Sequence, residues 1–177
     1  MAYMNLRLWK LKLRLWNNRR NRKIHRVLFL DFDGVVNIPY EFGTPEYNDA
    51  MDRGVYDFFR PEIVERLNTL IHEYDLHIVI SSSWRFSGIQ FCQDSIWNAG
   101  FDRDVVIEGL TPLTDDFRPR DEEILDYLEA HPEISAVLIL DDIPMRVLKD
   151  YAVQTIFEEG YSKSCDQTAR AILDRQG

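Results

Sequence analysis

Val27-Leu28-Phe29-Leu30-Asp31-Phe32-Asp33-Gly34-Val35 is the stretch from which the rest of the chain can be read. Its four consecutive apolar residues are too few for a helix and suit a central strand covered on both faces. The run then breaks into two carboxylates one residue apart, with Gly34 free to turn sharply behind them.

Outward from this strand, apolar runs alternate with helical patterns. Residues 37 to 60 read as a long irregular segment rich in Pro, Gly and aromatics. Pro61 opens a helix in which Ile63, Val64, Leu67, Leu70 and Ile71 keep helical spacing. Leu76 to Ile80 is a second buried strand. A helix follows over about 86 to 99, stopped by Gly100. Val105 to Ile107 is a short third strand, and Asp121 to His131 a helix ended by Pro132. Ala136 to Leu140 makes a fourth strand, Val153 to Ile156 a weak fifth, and Asp166 to Arg175 a closing helix. This alternation predicts an α/β domain over residues 26–177, Rossmann-like, with a mainly parallel sheet and helices on both faces.

The 177 residues carry a net charge of -9, unevenly spread. Residues 1 to 26 hold nine Lys or Arg and no acid, so the remainder sets 12 basic residues against 30 acids. Residues 1–25 therefore read as a basic N-terminal arm on an acidic body. From Trp9 to Leu15 apolar and basic residues alternate strictly, a period of two that predicts an edge strand or a poorly ordered tail. Such an arm suits nucleic acid or another anionic surface. If it binds nucleic acid, removing residues 1 to 20 weakens action on an oligonucleotide and leaves action on a small substrate intact. No stretch reaches the ~18 apolar residues of a membrane span. Cys92 and Cys165 lack metal-ligand spacing, so a reducing, cytoplasmic setting is the expectation.

In parallel sheets the ligand site lies beyond the carboxyl ends of the strands. Three strands end there in polar groups: Asp31 and Asp33, then Ser81-Ser82-Ser83-Trp84-Arg85, then Asp141-Asp142. Carboxylates gathered so closely repel, and a hard divalent cation such as Mg2+ relieves the repulsion while leaving room for a substrate phosphate. His72, His77 and His131 show no partner spacing and receive no chemistry.

Residues 27–35 resemble the first signature of the haloacid dehalogenase (HAD) superfamily of Mg2+-dependent phosphohydrolases. Ile78 to Ser82 is similar to its second, and Leu138 to Asp142 to its fourth. Ser81-Ser-Ser-Trp-Arg85, with Arg120 just before Glu123-Ile124, resembles more narrowly the HAD branch of bacterial and phage RNA-repair proteins. The resemblance implies Asp31 as nucleophile, Asp33 as general acid and base, and Ser81 or Ser82 on the phosphoryl oxygens. It also implies a Mg2+ site of Asp31, the Asp33 carbonyl, Asp141 and Asp142, with Asp142 favoured of the pair. The family's third signature is usually Lys, yet beyond residue 26 the only lysines are Lys149 and Lys163, both after the acidic pair. An Arg must stand in, either Arg118 or, by preference, Arg120. Arg85 is a candidate for a substrate phosphate or an ion pair, and Trp84 for packing.

Too few residues lie between these signatures for a large cap domain, so the resemblance implies a capless or minimally capped, open site. The expected activity is phosphate-monoester hydrolysis on a bulky substrate such as a phosphorylated RNA or DNA end. A nucleotide phosphatase, or an idle fold that only binds, are the alternatives. Tyr40, Phe42, Tyr47, Tyr56, Phe58 and Phe59 crowd the 37–60 loop, where packing is expected before base stacking.

Overall fold

A computed structural model describes residues 2–21, 24–52, 58–113 and 118–177; Arg22, Lys23 and Tyr56 lie outside these. Five strands form one parallel sheet: β1 (Arg26–Leu30), β2 (Leu76–Ile80), β3 (Ile107–Leu110), β4 (Ala136–Asp141) and β5 (Ala152–Gln154). Their order is β3-β2-β1-β4-β5, with Leu30 level with Ile80 on one side and Leu140 on the other. The chain winds first to one side of β1 and then to the other, which opens a crevice beyond the carboxyl ends of β1 and β4.

Six helices, α1 (Ala2–Arg20), α2 (Pro45–Asp52), α3 (Pro61–Tyr74), α4 (Ile89–Asn98), α5 (Arg120–Ala130) and α6 (Lys163–Asp174), accompany the sheet. Side chains alternate across each strand, so each face has its own core. Leu28, Leu30, Ile78, Ile80, Leu138 and Leu140 pack against α3, α4 and α6. Val27, Phe29, Val79, Val137 and Ile139 pack against α5 and α1. The molecule is thus an α/β, Rossmann-like domain with helices on both faces.

The period-two expectation for the arm fails. Residues 2–20 form a helix that lies on the sheet, with Leu11 and Leu15 buried among Val27, Phe29, Ile124 and Leu128. Arg7 joins Asp126 and Glu129 of α5 at 2.7 Å each, and Asn18 Nδ2 donates to the carbonyls of Pro132 and Ile134 at 2.8 Å. Two apolar faces, one turned inward and one outward, produce the apparent alternation. The segment holds no β-branched residue and is rich in Leu, Lys and Arg, all good helix formers.

Smaller departures have local causes. The third strand begins two residues late because the Val105 carbonyl is taken by the Gln93 and Trp97 side chains. The helix expected over 86–99 is split by Gly88 at φ +89°, leaving a 3-10 turn at Ser83–Ser87 before α4. Within the supposedly irregular 37–60 loop, Pro45 starts α2, whose single buried side chain, Ala50, gives no apolar stripe to read.

Candidate active site

β1 delivers Asp31 to the crevice. Its N–H still donates to the Leu140 carbonyl at 3.0 Å, so the nucleophile candidate is fixed by the ladder itself. The chain then turns at once: the N–H groups of Val36 and Asn37 both return to the Phe32 carbonyl. Gly34 sits at φ +73°, where an added Cβ would come within 2.6 Å of the Phe157 ring and 3.0 Å of Asp142 Cβ. Glycine is required here by both backbone and space.

The turn aims Asp33 back toward the rim. Asn37 Nδ2 donates to Asp33 Oδ1 at 2.6 Å and the Trp84 indole N–H to Oδ2 at 2.9 Å. Asn37 is in turn held by the Phe58 N–H on its Oδ1 at 2.6 Å. The Trp84 ring packs edge-on to Phe32 and Phe59, at centroid distances of 5.2 and 5.8 Å. Trp84 therefore packs, as its sequence suggests, and also orients a carboxylate. Sequence reasoning passes over Asn37 altogether, although its place four residues after Asp33, across a tight turn, was the available signal.

β2 delivers the two serines, both fully buried. The Ser82 hydroxyl accepts the Trp84 N–H at 3.3 Å and acts to lower the Asp31 carboxyl, against the effect of burial. Ser81 Oγ is buried without a partner. The two hydroxyls differ in their surroundings: Ser82 Oγ has the Trp84 N–H as a partner, whereas Ser81 Oγ has none.

β4 ends in Asp141, whose Oδ1 accepts the Ile143 N–H at 2.9 Å while Oδ2 is buried without a hydrogen bond. Carboxylate oxygens of Asp31, Asp141 and Asp142 all lie within 4.8 Å of one another. Burial, and then the proximity of Asp31, push the Asp141 carboxyl up to about 7 against the pull of Arg120. Burial likewise raises Asp31, against Arg120 and the Ser82 hydroxyl. Three oxygen ligands in this space, one with an orphaned lone pair, fit a hard divalent cation in number and chemistry. Asp141 is the more buried member of the pair.

Arg120, the first residue of α5, supplies the cation. Its Nη1 lies 3.5 Å from Asp141 Oδ2 and 3.8 Å from Asp31 Oδ1, and donates to the Ser81 carbonyl. Arg118 goes elsewhere: it pairs with Glu122 at 2.9 Å and Asp126 at 2.5 Å along α5, so the structure does not bring it to Asp31. Arg85 is also turned from the opening. It is buried, donating to the Ser81 and Ser82 carbonyls at 2.5 and 2.9 Å and pairing with Glu123 at 2.8 Å. Its role in the fold is to hold the serine turn in register, not to offer a free guanidinium to a substrate.

His77 meets His25 and Glu108 at the other end of the sheet, with His–Glu contacts of 2.8 and 3.1 Å. The two imidazoles are stacked at 4.7 Å and 24°. Both rings thus share the one carboxylate of Glu108, far from Asp31 along the strands.

A comparison with curated proteins and with solved structures returned no match. A family model described as the HAD domain in Swiss Army Knife RNA repair proteins matches residues 27–164, which span every group assembled around Asp31. With three quarters of its length covered, this protein belongs to the HAD domain family of Swiss Army Knife RNA repair proteins.

Proposed function

We propose that the protein hydrolyses phosphate monoesters through an aspartyl-phosphate on Asp31. HAD membership supports phosphohydrolase chemistry in general. The observation that carries the finer reading is the company Asp31 keeps: the Arg120 guanidinium at 3.8 Å and the carboxylates of Asp141, which ends β4, and Asp142, which follows it.

In the first step an Asp31 oxygen attacks phosphorus as the bond from phosphorus to the leaving oxygen breaks. Asp33 gives that oxygen its proton. In the second, Asp33 takes a proton from water, the water oxygen attacks phosphorus, and inorganic phosphate leaves with Asp31 restored. Trp84 and Asn37 act by orienting Asp33, and each of its oxygens keeps a second lone pair for the travelling proton. Ser82 and Arg120 would hold the non-bridging oxygens. A divalent cation, Mg2+ by its taste for oxygen, would be held by Asp31, Asp141 and Asp142 and would supply charge neutralisation at the phosphate.

A phosphorylated nucleic-acid end is the favoured substrate. The matched family's description names RNA repair. At the rim, Phe86 is 71% exposed beside the serine turn and Phe91 lies 5.9 Å from Trp84, placing aromatic faces where a base could stack. In the 37–60 loop, Tyr40, Tyr47 and Phe58 pack on one another, and Phe42 projects into solvent.

The test is phosphate release from p-nitrophenyl phosphate, nucleotides, and oligonucleotides phosphorylated at either end, with Mg2+ and with EDTA. The expected result is Mg2+-dependent release with an oligonucleotide preferred. Preference for a nucleotide would move the substrate to metabolites, and no release from any would leave a binding module.

A further inference from the structure

Among the described residues, buried polar side-chain atoms without a hydrogen-bond partner occur in two places. One is the Asp31 rim, with Ser81 Oγ, Arg85 Nε and Asp141 Oδ2. The other is Arg14 of α1, whose Nε and Nη2 are both unmatched. Burial lowers the Arg14 pKa, as expected of a cation short of partners. Its guanidinium borders a cavity of about 280 Å³ between α1 and α5, shared with Leu6 and Lys10.

The surface of α1 beside that cavity is apolar. Leu6 is 48% exposed, Trp9 61%, Leu13 43% and Trp16 49%. At 3.6 residues per turn these four fall within an arc of about 80° on the side opposite Leu11 and Leu15, over a length of about 15 Å. About half of each of these side chains faces solvent. Cations flank the stripe: Lys10 on one edge, Lys12 and Arg19 on the other, and Arg20 at its end, its guanidinium 5.2 Å from the Trp16 ring. Lys12 is paired with Asp150, and Arg14 feels Glu129 and Glu133, but among the described residues no acid forms an ion pair with Lys10, Arg19 or Arg20.

We propose that this outward face of α1 docks the protein on an anionic lipid bilayer. α1 would lie in the plane of the interface, with Trp9, Leu13, Trp16 and Leu6 turned into the headgroup boundary and the exposed Lys10 and Arg20 on lipid phosphates. Charge complementarity selects this occupant. A second copy would set a helix with six cations and no acid against its own like. A nucleic acid would satisfy the cations but leave two leucines unexplained, because leucine offers no face for a base to stack on. Two tryptophans about two turns apart on one face are characteristic of side chains that sit where one end is apolar and the other wet. No described helix is long and apolar enough to cross a membrane, so the contact is with one leaflet only. The proposal stands apart from the phosphatase reading, since α1 contributes no group to the Asp31 rim.

The test is co-sedimentation of the full chain with phosphatidylcholine vesicles, with and without phosphatidylglycerol, at two salt concentrations. Binding is expected only with the anionic lipid, weakening as salt rises. It should fall at least about tenfold in Trp9→Ala/Trp16→Ala, with phosphate release and melting temperature unchanged. The conservative Trp9→Phe/Trp16→Phe should keep most of it. Absence of binding to anionic vesicles would overturn the proposal. So would binding that survives loss of both tryptophans, or an unlabelled oligonucleotide that binds the double variant and the parent alike while vesicles bind neither.

Discussion

The Asp31 rim and α1 both hold buried polar groups that the protein itself leaves unmatched, yet the rim and the outer face of α1 are built in opposite ways. The rim gathers residues separated by up to 111 positions, because three strands and one helix start all end at the same edge of the sheet. The face of α1 is one contiguous segment, made by helical periodicity alone. A dispersed site depends on the whole fold. A contiguous one depends only on its helix staying docked, and α1 stays docked through its other side, by Leu11, Leu15, Arg7 and Asn18. The same helix therefore serves the core inward and solvent outward.

The largest expected difference between the regions is in catalysis. Asp31→Asn should lower phosphate release by about 10³-fold or more without changing the melting temperature greatly, measured under saturating Mg2+. Any single outward change on α1 should leave release within twofold.

Stability should sort the two sides of α1. Leu15 is fully buried, so Leu15→Ala is expected to cost about 2 to 5 kcal/mol in urea unfolding. Trp9→Ala should stay within about 0.5 kcal/mol, as at a solvent-facing position. Equal losses at both would mean that the outward face is covered in solution. For the same reason removal of residues 1 to 20 strips cover from Val27, Phe29 and Val137 and should destabilise the whole domain, so loss of activity on every substrate is expected from it.

Within the rim, Trp84→Phe removes the donor to Asp33 Oδ2 while keeping a ring against Phe32 and Phe59. A hydrogen bond to a charged group is worth about 1.5 to 3 kcal/mol, so kcat should fall roughly ten- to a hundredfold. An unchanged kcat would reduce Trp84 to packing. Mg2+ should also raise the melting temperature of the parent chain by relieving three crowded carboxylates, and should do so less in Asp141→Asn.

The smallest effect expected is on pH. Although burial acts to raise it, the Asp126 carboxyl is held below the usual range by hydrogen bonds from Arg118 and Arg7. The unfolded chain then binds the proton more readily, so this contribution is complete above about pH 4 and is lost as pH falls through the lowered value. Arg7→Gln should flatten the acid limb of a melting-temperature profile slightly. A steeper limb would contradict the pairing.

Much of the rim was legible in the sequence because strands that run into reactive residues are local patterns, and parallel topology aligns their ends. Asp31, Asp33, Asp141 and Asp142 could be placed this way. What could not be read is where side chains turn once packed. Arg85 follows the serines directly but folds inward onto Glu123, while Arg118 and Arg120, two residues apart, point to different partners. Ser81 and Ser82 differ only by the alternation of a strand end, and only packing shows that Ser82 Oγ takes the Trp84 N–H while Ser81 Oγ stays without a partner. α1 was illegible for another reason: burying one face and leaving a second apolar face outside defeats any single-period reading.

The most direct test of the Asp31 reading is capture of the phosphorylated protein. An oligonucleotide carrying a labelled terminal phosphate is mixed with the full chain and Mg2+, and the reaction is quenched in acid at early times. Label on the protein that hydroxylamine releases, and that is absent together with turnover in Asp31→Asn, is the expected result. Turnover that persists in Asp31→Asn, with no label on the protein in either case, would contradict it.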